Sequence, residues 1–427
     1  MFKAIHVAAL GILASSVAWL GISDSRVLAA DWPQFRGPTG QGISRDKGVP
    51  LTWAPDKNIL WKVELPGPGT SSPIVLGERI FLTCYSGFNF PTKGAGRMED
   101  LKRFVVCLDR KTGKLNWSRE VESKLPENIP NREAHGYATS TPVADSERVY
   151  TFFGRSGVFA FDHAGKKLWQ ADVGSKLHDW GSAAPLTLHD DLVLVNACAE
   201  SESLVALNKK TGKEVWRATG IKESWHMPIV VDVDGKKEIV IAIMGKVLGI
   251  DPKSGETLWS CTTGIGWYMV PGPVAQDGVV YYLGGRSGVV GGAVRAGGRG
   301  DVTKTHRLWT TTKGTNVPSL ILHEGHLYWM NDVLGVAYCA EAKSGRIVYE
   351  ERIPGAQSIY SSPILADGRI YYTEHGGRTI VVAAEPTFKI LAQNALGKRM
   401  RINASPAISE GRILMRVEQH LYCIGEK

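Results

Sequence analysis

The stretch "SSPIVLGERIFL" (71–82) returns almost unchanged as "SSPILADGRIYY" (361–372). Aligning the chain on the proline of this motif gives Pro73, Pro142, Pro185, Pro228, Pro273, Pro318, Pro363 and Pro406, at intervals of 69, 43, 43, 45, 45, 45 and 43 residues. A period of about 44 residues is too short for a domain and about right for four short strands with their turns. The serine pair is therefore the stamp of a copied unit, and it lacks the glycine-flanked elbow of a serine hydrolase.

Each copy runs through the same local chemistry. "LADGR" (365–369) and "AQDGV" (275–279) place Asp-Gly between β-rich runs, a tight hairpin signal. "DRKTGKLNW" (109–117), "NKKTGKEVW" (208–216) and "DPKSGETLW" (251–259) form a second turn closed by a glycine. Each is followed by a fourth strand bearing Trp117, Trp216 or Trp259; Trp169 and Trp309 hold the same place, and Tyr349 and Leu391 take it in later copies. These side chains read as plugs between neighbouring units. Eight copies begin but the last ends at "LYCIGEK" with no fourth strand, while "NILWKVEL" (58–65), with Trp61, precedes the first copy. Pairing the two closes a ring and removes its exposed sheet edges. The expectation is an all-β fold: an eight-bladed β-propeller of four-stranded antiparallel blades over 58–427, closed by an N-terminal strand joining the C-terminal blade. Residues 31–57 then form an N-terminal extension.

Repeats such as "LVALNKKTGKEVW" and "SSPILADGRIYYTEHGGRTIVVAAE" resemble the pyrroloquinoline-quinone (PQQ) enzyme repeat of quinoprotein alcohol dehydrogenases and of the BamB scaffold subunit of outer-membrane β-barrel assembly. The opening "DWPQFRGPTGQGIS", with "LPGPGTSSPIV" and "GGRGDVTKTHRLW", resembles exported PQQ-binding-like β-propeller repeat proteins. The resemblance implies a propeller and, for the dehydrogenases, PQQ held with calcium beside a vicinal disulfide. This chain has no adjacent cysteines and no assignable calcium triad, so the cofactor is unknown and no catalytic or metal-ligating residue is assigned.

Residues 1–30 combine Lys3, an apolar run from Ile5 to about Leu20 and small residues, the pattern of a secretory signal peptide cleaved near Ala29 or Ala30. That run turns polar too early to span a membrane, and the first cysteine is Cys84, so neither an anchor nor a lipid attachment is expected. The protein reads as exported, periplasmic or extracellular, and monomeric. Its formal charge of +8 sits largely in the turns, which argues against a nucleic-acid stripe. The cysteines are scattered, and Cys107, Cys339 and Cys423 share a repeat position that elsewhere holds Ala or Gly, the pattern of small buried thiols. Cys84 and Cys107 are the one pair that a hairpin could bring face to face as a disulfide.

In a propeller the loops entering the inner strands converge on one mouth. Here they carry His135, Tyr137, Trp180, Trp225, His226, Trp267, Tyr268, Asn316, Tyr360, Arg401 and Asn403. Aromatic faces with a few hydrogen-bonding groups suit a planar cofactor or a sugar ring; packing at the rim is the alternative. The expected function is ligand binding or protein scaffolding outside the cytoplasm, with envelope proteins or a small planar or sugar ligand as partners. A PQQ-dependent dehydrogenase and a carbohydrate-binding or carbohydrate-active propeller are the alternatives. The insertions 85–103 and 122–136 beside the first copy are places for a lid or partner contact.

Overall fold

The computed structural model describes residue 1 and residues 31–90, 94–127, 135–397 and 400–426. The signal segment expected over 1–30 lies outside the described residues, apart from Met1. Eight four-stranded antiparallel blades follow one another, the fourth extended by Gly300–Asp301, which pairs in parallel with Thr257–Thr262. The first comprises Ile74–Leu76, Arg79–Ser86, Lys102–Asp109 and Leu115–Val121. The eighth takes Ala407–Ser409, Arg412–Val417 and His420–Ile424 from the C-terminus and Ile59–Glu64 from the N-terminus. Trp61 lies opposite Cys423 and Glu64 opposite His420, so the closing strand sits where the repeat predicts.

The fourth-strand tryptophans explain how blades join. The Asp109 carboxylate accepts the Thr112 N–H at 2.8 Å, and Gly113, at φ +70°, closes the turn onto the Asp109 carbonyl. Glycine is needed there twice over, because a Cβ would stand 2.7 Å from the Trp61 ring of the preceding blade; Gly212 and Gly255 meet Trp169 and Trp216 in the same way. The indole N–H then finds a carbonyl in the neighbour's turn: Trp117 donates to His163 O at 2.9 Å, Trp169 to Lys209 O at 3.0 Å, Trp216 to Pro252 O at 2.9 Å and Trp309 to Ala342 O at 3.0 Å. Apolar burial and one satisfied polar atom thus fix each seam. The core is accordingly a ring of wedges, seven apolar clusters lying between successive blades, the largest spanning the seventh, eighth and first.

Trp259 departs from this pattern. The next blade replaces its short turn with 296–306, so the indole rotates inward, donates to the buried Glu238 carboxylate at 2.7 Å and fills the room left by Gly249. Two expectations need correction. Ala392, not Leu391, is the residue opposite Val381 at the tryptophan place of the seventh blade. The proline marker slips twice: the sixth inner strand begins at Ile321, so Leu320 holds the proline place and Pro318 stands two residues early, and the third begins at Thr187, so Leu186 holds it and Pro185 stands one early.

Cys84 and Cys107 do not face each other. Cys84 lies opposite Phe104 and Cys107 opposite Phe81, an odd offset that sends the two thiols to opposite faces of the sheet and into different wedges. All six cysteines are free and buried.

Residues 31–57 form no blade but run across the face opposite the lead-in loops. Trp32 bridges to Val75, the Ala144 N–H donates to Pro33 O at 2.9 Å, Ile43 pairs in parallel with Leu365, and Trp53 stacks on Tyr371. The insertion at 85–103 folds back as a ribbon, Phe88–Phe90 against Gly94–Gly96. Among the described residues no helix is long and apolar enough to cross a membrane.

Candidate functional site

The residue two places before each inner strand faces the middle of the ring, where eight chains crowd together and most blades carry a compact side chain. Small hydroxyls there tie blade to blade: the Gly272 N–H donates to Ser319 Oγ at 2.9 Å, Ser319 to Ser362 at 3.0 Å, Ser362 to Ser405 at 2.9 Å, Ser405 to Ser72 at 3.0 Å and Ser72 to Thr141 Oγ1 at 3.0 Å. Ser71 ties its own blade to the eighth, its Oγ accepting the Thr83 N–H at 3.0 Å and the buried Arg416 guanidinium at 2.8 Å. The repeated serine pair is thus a structural belt around the axis.

Above this belt lies a cavity of about 420 Å³ to which all eight blades and the N-terminal segment contribute. Phe35 stands on its wall from the N-terminal side. His135, Trp180, Trp225, His226, Tyr268, Tyr360 and Asn403 line it, seven of the eleven residues the sequence singles out. Trp180 lies 5.8 Å from Tyr268, ring centre to ring centre, and Tyr268 lies 5.8 Å edge-on to Trp225. The Trp225 N–H is satisfied by Gly181 O at 2.7 Å, which fixes its ring plane. Tyr360 packs on His375, whose Nδ1 donates to Asn403 Oδ1 at 2.7 Å.

The other four stand elsewhere. Tyr137 turns into the wedge between the first two blades, edge-on to Tyr85 and against Phe88, because the first insertion brings those rings beside it. Trp267 packs behind Tyr268 and remains 42% exposed. Asn316 is buried and donates to the Tyr268 hydroxyl at 3.3 Å. Arg401 lines a side pocket of about 40 Å³ with Asn403 and Arg416.

His226 is a wall residue whose ring is committed to the backbone: Nδ1–H donates to Met227 O at 2.9 Å, and Nε2 accepts the Ala242 N–H at 3.1 Å. Burial lowers its pKa, so the folded ring stays neutral. The unfolded chain gains a proton below about pH 6.5, so stability present above that pH is lost as pH falls. Burial lowers His163 and His420 in the same direction. His226→Gln should therefore flatten, without abolishing, the fall in melting temperature between about pH 7 and pH 5; an unchanged slope would contradict the assignment.

Arg286 was not legible as a site residue. It reaches the cavity from the fifth blade, and its guanidinium lies 4.0 Å from Asp332, itself held by the Asn316 N–H at 3.0 Å. Among the described residues no Asp or Glu lines the cavity. Among the described residues no group of three or more His, Cys, Asp or Glu could hold a metal ion. A second cavity of about 690 Å³ opens on the opposite face beside the N-terminal segment, bounded mainly by the third to fifth blades. It gathers none of the repeat-equivalent aromatics.

The family model described as outer membrane protein assembly factor BamB matches residues 44–176 and 101–351. Quinoprotein alcohol dehydrogenase PedH of Pseudomonas putida is 32% identical over 181 residues, 38% of this chain and 28% of that protein. Tetrathionate hydrolase of Acidithiobacillus ferrooxidans is 25% identical over 352 residues, 73% of this chain and 66% of that protein. The chain thus spans less than two thirds of the length of either relative. The crystal structure of BamB from Moraxella catarrhalis superposes with a TM-score of 0.62 at 13% identity, over 86% of this chain and 97% of that one, a likeness of fold.

Proposed function

Because the chain belongs to the PQQ-like propeller family whose model is described as outer membrane protein assembly factor BamB, we propose that it acts outside the cytoplasm as a binding propeller whose central cavity takes a planar, anionic ligand. The observation that carries this reading is the lining itself. Trp180, Trp225, Tyr268 and Tyr360 converge from four blades on one cavity that Arg286 enters and that no carboxylate among the described residues lines. Aromatic faces stack on a flat ligand, and a guanidinium held by Asp332 favours an anionic edge. Among the described residues the lining offers no acidic oxygen to hold a calcium-bound quinone, which supports the binding reading over the dehydrogenase. Nor do the described lining residues include paired carboxylates for glycoside cleavage.

PQQ is the apt probe, being flat and anionic. Titrated in the presence of a chelator and followed by tryptophan fluorescence, it should bind saturably, with Tyr268→Ala and Arg286→Ala each weakening it about tenfold. Calcium-dependent dye-linked alcohol oxidation would overturn the binding-only reading.

A second reading, protein scaffolding, is supported by a different observation. Leu177, Met244, Trp267, Val333 and Leu334 are exposed large apolar side chains, and by strand order all lie in loops on the lead-in face. Failure of planar anions to bind, together with pull-down of an envelope protein lost on Leu334→Asp, would favour it.

A further inference from the structure

Arg36 is an uncompensated buried cation. It is 2% exposed, and Nη2 donates to the Gln41 carbonyl at 2.8 Å and to the Leu320 carbonyl, while Nε and Nη1 have no hydrogen-bond partner. No carboxylate among the described residues pairs with it. A buried charge without a counter-charge carries a desolvation cost that carbonyl dipoles only partly offset. Burial accordingly pulls the guanidinium pKa down to about 9.

Beside it the fold leaves room. Gly272 does not adopt the left-handed conformation that would require glycine. A Cβ built there would meet within 4 Å only Ser319 Oγ, at 3.3 Å, and Arg36 Nη1, at 3.9 Å. The equivalent places in other blades hold Ser72, Thr141, Pro185, Met227, Ser319, Ser362 and Ser405. The bare glycine therefore leaves a gap between a hydroxyl and a guanidinium.

We propose that this gap, bounded by Arg36, Ser319 and Gly272, is a binding site for a small inorganic monoanion of halide size. The charge favours an anion over water. An occupied site would neutralise Arg36 and pin the N-terminal segment beneath the fifth to seventh blades, whatever ligand the central cavity holds.

The full-length mature protein tests this with chloride as the probe and gluconate as the oversized control at constant ionic strength. Replacing gluconate by chloride should raise the melting temperature saturably by about 3 °C. Arg36→Met and Gly272→Ala should each remove the difference. Gly272→Ala is compatible with its backbone and keeps the test alive if Arg36→Met does not fold. Crystals grown in bromide should show an anomalous peak between Arg36 Nη1 and Ser319 Oγ. Equal melting temperatures of the unsubstituted protein in the two salts, or an empty bromide map, would overturn the proposal.

Discussion

Deleting residues 58–65 is expected to lower the melting temperature by more than about 10 °C and to cause aggregation, the largest single effect the fold implies. The segment supplies the fourth strand of the eighth blade, paired antiparallel along His420–Ile424 and locked at its ends by Leu65 N–H to Gln419 O at 2.7 Å and Gly425 N–H to Asn58 O at 2.9 Å. Its loss leaves an unpaired edge beside the seam to the first blade. That seam is also held by Trp61 and Val63, both of which lie against Gly113. Two defects, a bare edge and an open wedge, thus arise from one deletion. Trp61→Ala opens only the wedge and, because Trp61 is partly buried, should cost less than the about 3–5 kcal/mol of a fully buried tryptophan. Calorimetry with size-exclusion chromatography checks both; an unaltered transition in the deletion would contradict closure by this strand.

That closure was legible because it rests on counting: eight inner strands against seven following fourth strands can be read without any side-chain geometry. What escaped the sequence depends on contacts that no period encodes. Tyr137 shares its repeat position with cavity residues, yet the first insertion recruits it into the core through Tyr85 and Phe88. Trp259 keeps the tryptophan place but turns toward Glu238, and the only trace in the sequence is Gly249 where other copies carry a larger residue. Pro318 misleads because proline does not mark the strand start in that copy, where Ile321 lies opposite Tyr328. Residues 31–57 carry no periodicity at all, so neither the wall position of Phe35 nor the burial of Arg36 could be foreseen. Arg286 lies between the second and third strands of its blade, outside the lead-in loops where a funnel residue is sought.

The second large effect is expected at the buried Arg103–Glu127 ion pair, whose side chains are 2% and 3% exposed. Arg103 sits on the third strand of the first blade, Glu127 in the insertion that follows that blade. The same guanidinium donates to Tyr137 O at 3.1 Å and Ser156 Oγ at 2.9 Å, tying the insertion, the second lead-in loop and the second blade to one charge. Glu127→Ala would leave that charge buried without its carboxylate, at a cost of about 3–5 kcal/mol. Glu127→Gln keeps an acceptor and should cost less, and an apolar pair, Arg103→Met with Glu127→Leu, should recover part of the loss because no buried charge remains. The effect extends to the cavity, since His135 lies two residues before the clamped Tyr137 carbonyl and lines the ligand site. Chemical denaturation should therefore rank the variants Ala, then Gln, then the unsubstituted protein in rising stability, and Glu127→Ala should also weaken binding of a planar anion. A loss under about 1 kcal/mol for Glu127→Ala would mean that water reaches the pair and that the insertion is held by other contacts.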